Sequence, residues 1–169
     1  MMEKNYVVVD IETTGFSPLK GNRIIEVGAV RVRDGVIVDR LSQLIDPELP
    51  IPEHITRITG INDSKVQGMP TADVVIPRLY EFIGNDVVVA HNAKFDWGTF
   101  LSYYFSQMGL MAFNKVVCTL ELSKRYIRSE NYKLGTLCSG LGINLNNAHR
   151  AVYDAEATAY LMNCIVDRM

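Results

Sequence analysis

No two of the three cysteines in this sequence stand close enough to form a C-x-x-C unit: Cys118, Cys138 and Cys164 are scattered and odd in number. That excludes a disulfide framework and a cysteine zinc site, and it fits a reducing compartment, so a cytoplasmic location is expected. An excess of charge of one sign is also lacking. With 17 basic against 19 acidic side chains the net charge is -2, so any role with nucleic acid must rest on local charge. The opening segment MMEKNYVVVD has no signal-type apolar core, and no later apolar run approaches bilayer length; a soluble protein without a membrane partner is expected. Internal repeats and low-complexity linkers are absent. At 169 residues and 48% hydrophobic composition, the expectation is one domain over 1–169, either a free enzyme or an excised domain.

What is present begins with the stretch VVVDIETTGF, residues 7–16. An apolar strand delivers Asp10 and Glu12 at i and i+2, and in extended chain those positions point the same way. Two negative charges are thus aimed at one spot beyond the strand's carboxyl end, where something positive should sit. Further on, Asp34-Gly35 separates two β-rich runs, Ile24 to Arg33 and Val36 to Ile45, which predicts an antiparallel hairpin and hence a three-strand meander.

A proline-rich loop follows, with one helical turn near Glu53 to Ile58 interrupted at Gly60. Thr71 can cap a helix through Ile83, with Pro77 either kinking it or shifting its start. DVVVAHN reads as a strand buried on both faces, and AKFDWGTFLSYYFSQMG as a helix ending at Gly109. KVVCTLEL predicts a short fifth strand passing into a helix, KLGTLCSGLGI a compact helix ended at Gly140 or Gly142, and Ala151 to Arg168 the last helix. In that helix Ala151, Ala155, Ala159 and Met162 recur at helical spacing, small enough to lie close on a sheet. A meander followed by alternating helices and strands argues for an α/β fold: a mixed five-stranded sheet, three strands antiparallel and two parallel, with helices on both faces.

Five polar residues then converge. Asp10 and Glu12 leave the first strand, Asp96 lies in the first turns of the helix after the fourth, and HRAVYD puts His149 and Asp154 around the start of the last helix. Strand ends and adjoining helix starts are where open α/β sheets assemble their sites. His149 and Asp154 are five positions apart, about 500° of helix, so they cannot share a face if both are helical; His149 belongs on the approach to the helix. Carboxylates gathered in one cleft raise one another's pKa unless cations are bound. Hard oxygen ligands without cysteine select Mg²⁺ or Mn²⁺, and two such ions roughly 3.5–4 Å apart suit an in-line phosphoryl displacement. His149, titrating near neutrality, is suited to take the proton from an attacking water. His91 and Asn92 are of types that hydrogen-bond nearby backbone rather than react.

DIETTG, HNAKFD and HRAVYD together resemble the three motifs of the DnaQ-like, DEDDh-type 3′–5′ exonucleases, in that family's order and approximate spacing. Nearly the whole chain is covered, and the likeness is greatest to the proofreading exonuclease domains of bacterial DNA polymerase III and their stand-alone relatives. The resemblance implies a ribonuclease H-like fold and release of 5′-mononucleotides from a 3′ end by two metal ions. It implies that Asp10, Glu12, Asp96 and Asp154 are metal ligands and His149 the general base. It also implies that Thr13, Thr14 and Gly15 approach the terminal nucleotide with Phe16 beside it, Gly15 leaving room that a Cβ would take; a turn with a buried Phe is the other reading. Ile58 to Ile61 resembles the segment that packs near the terminal base, set against a hydrophobic plug. Asn92 and Arg150, inside the second and third motifs, complete the substrate-side candidates. Cys118 stands where many members carry Asp, which puts nothing catalytic in doubt.

Local charge offers one further candidate. KRYIRSENYK interleaves Lys124, Arg125, Arg128 and Lys133 with Tyr126 and Tyr132, either a single-strand track or a solvated helix face with tyrosines half in the core. Met69, Met108, Met111 and Trp97 lack a common spacing and read as core or gap fillers, with a wall of the cleft a second reading for Trp97, which follows Asp96 directly. The leading expectation is a metal-dependent 3′–5′ exonuclease on single-stranded DNA. An exoribonuclease or oligoribonuclease, and a non-catalytic polymerase-associated binding module, are the alternatives, and a receiver domain is disfavoured by the hairpin. A single-stranded DNA or RNA 3′ end is the expected partner, a DNA polymerase a further candidate; the oligomeric state stays open.

Overall fold

Residues 3–145 and 150–169 are described by the structure, a computed structural model. Its sheet is built from β1 (Tyr6–Thr13), β2 (Ile24–Arg33), β3 (Val36–Leu44), β4 (Val88–Ala90) and β5 (Val116–Cys118), in the order β3-β2-β1-β4-β5. β1 pairs antiparallel with β2, and β2 with β3, whereas β4 runs parallel to both β1 and β5. The turn between β2 and β3 holds Asp34 at φ 51° and Gly35 at φ 79°, the left-handed pair that a tight two-residue hairpin requires.

Strand parity decides what each face carries. Val7, Val9 and Ile11 join Val27, Ala29, Leu79, Phe100 and Phe105 in a core on one side. Tyr6 and Val8 join Val30, Val32, Ala155, Ala159 and Met162 on the other. Both faces of β1 are therefore apolar as far as Val9, which accounts for the unbroken run of valines. Continuing the second set by twos along β1 brings Asp10 and Glu12 onto the side covered by the last helix.

The helices are α1 (Glu53–Thr59), α2 (Asp63–Val66), α3 (Ala72–Ile83), α4 (Ser102–Gln107), α5 (Thr119–Tyr126), α6 (Leu134–Leu141) and α7 (Ala151–Arg168). α3 stays one element with Pro77 inside it, so the proline neither delays its start nor ends it. α1 and α6 stop at Gly60 and Gly142, both left-handed; Gly140 lies within α6. The segment expected to be one regular helix after β4 differs. Lys94–Leu101 is wound as a π-helix before α4 begins, and this wider winding puts Asp96, Phe100 and Leu101 on the buried side together. Among the described residues no helix is long and apolar enough to cross a membrane.

Candidate active site

Asp10, Glu12 and Asp154 each present an oxygen such that the three lie within 4.8 Å of one another. β1 supplies the first two by parity, and Asp154 comes from the first turn of α7. Asp96, only 4% exposed, approaches from the π-wound turn and accepts the backbone N–H of Ile11 at 3.3 Å. Asp10 Oδ2 is buried and has no hydrogen-bond partner among the described residues. A buried carboxylate oxygen with nothing donating to it is costly unless a cation sits against it.

The electrostatics follow from that crowding. Burial first, then the carboxylates of Asp96, Glu12, Asp154 and Glu26, holds Asp10 well above the usual carboxylate range. Glu12 is pushed up to about 8 by burial and by Asp154, Glu26 and Asp96. Asp96 also reaches about 8, its burial outweighing the hydrogen bond from Ile11. Such oxygen donors, held close and short of counter-charge, fit hard divalent cations such as Mg²⁺ or Mn²⁺.

Beside the acids lies a cleft of about 630 Å³, to which Asp10, Asp154, His91, Lys133 and Thr136 contribute. His91 is structural, as its type suggested. Its Nε2 donates to the carbonyl of Tyr132 at 2.8 Å and its Nδ1 pairs with Thr119 Oγ1 at 2.9 Å, while burial lowers its pKa. Asn92 is exposed at the end of β4 and adopts φ 74°, a left-handed conformation that asparagine tolerates. His149, the proposed base of the third motif, lies outside the described residues; α7 begins at Ala151, after it.

The substrate-side candidates divide. Phe16 is 87% exposed, which overturns the buried-Phe reading of that turn. Thr13 and Thr14 are buried and build the turn itself: Thr13 Oγ1 donates to the Gly15 carbonyl and Thr14 Oγ1 accepts the Arg23 N–H. The room left by the missing Cβ of Gly15 is taken by the Asn22 side chain, 2.5 Å from where that Cβ would lie, so a larger residue here would have to displace Asn22. Ile61 is a correction. It is 1% exposed and packs with Ile25, Ile51 and Val66, out of reach of a substrate, whereas Ile58 is exposed.

Arg150 is half-exposed, and its Nε donates to Glu26 Oε2 at 3.1 Å, a tie to the protein that sequence reasoning did not foresee. Trp97 packs edge-on against Phe105 at 5.6 Å, at the rim of the core rather than walling the cleft. Met69 and Met111 are exposed, not core fillers. In the basic segment Tyr132 packs with Leu137 and donates its hydroxyl to the Ile127 carbonyl, as the half-core reading expects, and Lys133 alone of that segment lines the cleft.

Glu26 is the residue missed. It is fully buried on β2, and Oε1 accepts the backbone N–H of Ala151 at 2.8 Å. A lone acid inside the apolar run IIEVGAV was the signal available in the sequence.

Known proteins resemble this chain in sequence and in fold. The sequence pattern of the exonuclease (RNase T) family matches residues 7–162. The chain is 46% identical over 168 residues to the PolC-type DNA polymerase III of Clostridium perfringens, an alignment covering 99% of this chain and 12% of that protein. This chain therefore spans about an eighth of that relative's length. Among solved structures, exonuclease X in complex with 5′ overhanging duplex DNA superimposes with a TM-score of 0.78 at 30% identity, covering 96% of this chain and 91% of that one. Escherichia coli exonuclease I in complex with a dA16 oligonucleotide shares the fold, with a TM-score of 0.84 at 16% identity over 98% of this chain and 41% of that one.

Proposed function

The chain belongs to this exonuclease family, matched over residues 7–162, and from that membership we propose that it removes nucleotides from the 3′ end of single-stranded DNA, releasing 5′-mononucleotides. The observation that carries the reading is the convergence of Asp10, Glu12 and Asp154 around an Asp10 oxygen that is unpartnered among the described residues. Asp10, Glu12, Asp96 and Asp154 would hold two Mg²⁺ or Mn²⁺ ions. When bound, such ions neutralise the carboxylates and stabilise charge on the attacking and leaving oxygens of a phosphodiester. His149, the histidine of the third motif, takes the proton from the attacking water. Asp96 is oriented by the Ile11 N–H, which its Oδ2 accepts at 3.3 Å.

DNA rather than RNA is favoured because exonuclease X, similar along nearly its whole length, is described with DNA, and because the longer relatives are DNA polymerases. Their length suggests a role as one domain, residues 1–169, editing 3′ ends beside a polymerase. The test uses 5′-labelled single-stranded DNA and RNA of one sequence with Mg²⁺. Stepwise shortening, faster on DNA, is expected, with 5′-mononucleotides as product. Internal cuts, or no shortening of either strand, would refute the proposal; faster shortening of RNA would reassign the substrate.

Phe16 provides a second check. An exposed aromatic in the turn after Glu12 is suited to stack on a base, an interaction worth about 1–3 kcal/mol. Phe16→Ala should raise KM for a single-stranded oligonucleotide about tenfold and leave Tm unchanged, because the side chain is already in solvent. Unchanged steady-state kinetics would remove Phe16 from the substrate path.

A further inference from the structure

We propose that Glu26 and Gly28 form the seat on which α7 registers Asp154 against Asp10 and Glu12, with Glu26 as a positioning residue of the metal site. The proposal rests on the exonuclease reading and adds to it two residues of β2 outside the three motifs.

The strand register sets the geometry. Across the antiparallel pair Asp10 stands opposite Gly28 and Glu12 opposite Glu26, so the two β2 positions lie beside the two β1 acids on the face that α7 covers. Gly28 brings the helix close. A Cβ built there would fall 2.3 Å from both the Ala151 carbonyl carbon and the Val152 nitrogen, so only glycine admits the first turn of α7 at this depth.

Glu26 then fixes the helix end. Arg150 at the N-cap makes no side-chain cap bond, and the carboxylate of Glu26 substitutes from another strand. One oxygen accepts the Ala151 N–H at 2.8 Å, the other the Arg150 Nε at 3.1 Å. A carboxylate at a helix N-terminus satisfies a backbone donor and complements the helix dipole. With residues 150 and 151 held and Ala151 resting on Gly28, Asp154 follows one turn on at a fixed distance from the acids of β1.

Glu26 is an anion near the site, and its charge alone would favour cations, so the test must separate position from charge. Glu26→Asp and Gly28→Ala both conserve charge. The first shortens the carboxylate's reach to Ala151 and Arg150; the second lifts the helix start. Mn²⁺ affinity is measured by calorimetry on the full chain, beside kcat and KM on single-stranded DNA and circular dichroism for the fold. Each variant should bind Mn²⁺ about tenfold more weakly and lose kcat similarly, with KM for DNA within about twofold of wild type, as for residues that orient ligands without touching substrate.

A folded variant of either kind that binds Mn²⁺ as wild type does would overturn the proposal, leaving charge as Glu26's sole contribution. If one variant fails to fold the other decides, and loss of fold in both would also overturn it by making the pair purely structural. Wild-type protein that neither binds Mn²⁺ nor shortens DNA would instead refute the exonuclease reading.

Discussion

Asp10→Ala should abolish nuclease activity while leaving the fold intact. Asp10 sits at the centre of the site, half-buried, with one buried oxygen unpartnered among the described residues and with Glu12 and Asp154 within 4.8 Å. Polarisation of a phosphoryl oxygen by bound cations contributes several kcal/mol of transition-state stabilisation, and each 1.36 kcal/mol is tenfold in rate. Loss of the central ligand should therefore lower kcat by at least about 10³-fold. The fold should persist because the acid is held above its ordinary pKa by burial and by like charges, so removing it relieves a cost. The isosteric Asp10→Asn should be as inactive and should melt higher than wild type in the absence of divalent ions. Stepwise shortening of labelled DNA and thermal melting on the same preparations check both halves. Equal activity in wild type and variant would reject the assignment.

The sheet was legible in the sequence because its signals are local. The Asp34-Gly35 dipeptide needs both residues left-handed, and the structure has them so. The period-two placement of Asp10 and Glu12 put two acids on one face whatever the rest of the chain did. The bounds of α7, Ala151–Arg168, followed from its small residues at helical spacing. The π-winding at Lys94–Leu101 was not legible, since it answers to the joint demand of Asp96 on Ile11 and of Phe100 on the core, residues distant in the chain.

Side-chain roles around the site failed for the same reason. Ile58 and Ile61 belong to one motif-like segment, yet one faces solvent and the other packs under β2, a distinction made by Ile25 and Ile51. Gly15 answers to Asn22 rather than to open space, and Glu26 to the end of a helix more than 120 residues away. Motif spacing identifies which acids are present, but tertiary contacts decide what holds them in place.

Removal of divalent ions should have the second large effect, on activity and on the pH dependence of stability together. Chelation should abolish strand shortening, and Mg²⁺ or Mn²⁺ should restore it. In the chelated protein the folded-state pKa values of Glu12 and Asp96, each about 8, lie far above the ordinary carboxylate range. Between about pH 4 and 8 the native state thus holds protons that the unfolded chain has released. Stabilisation from these groups is full below the unfolded carboxylate range and is lost as pH rises through the folded values. For one retained proton the slope is about 1.4 kcal/mol per pH unit, and for a chain of this size that lowers Tm by about 3–5 °C per unit. Chelated wild type should accordingly melt lower at pH 8 than at pH 5. Saturating Mn²⁺ should recover most of the difference, because cations stabilise the ionised carboxylates that burial penalises. Asp10→Asn should show a shallower slope without metal and little recovery with it. A chelated wild-type protein whose Tm stays flat across this range would show the acids to be already charged and well solvated, and the case for a cation-demanding cluster would fall with it.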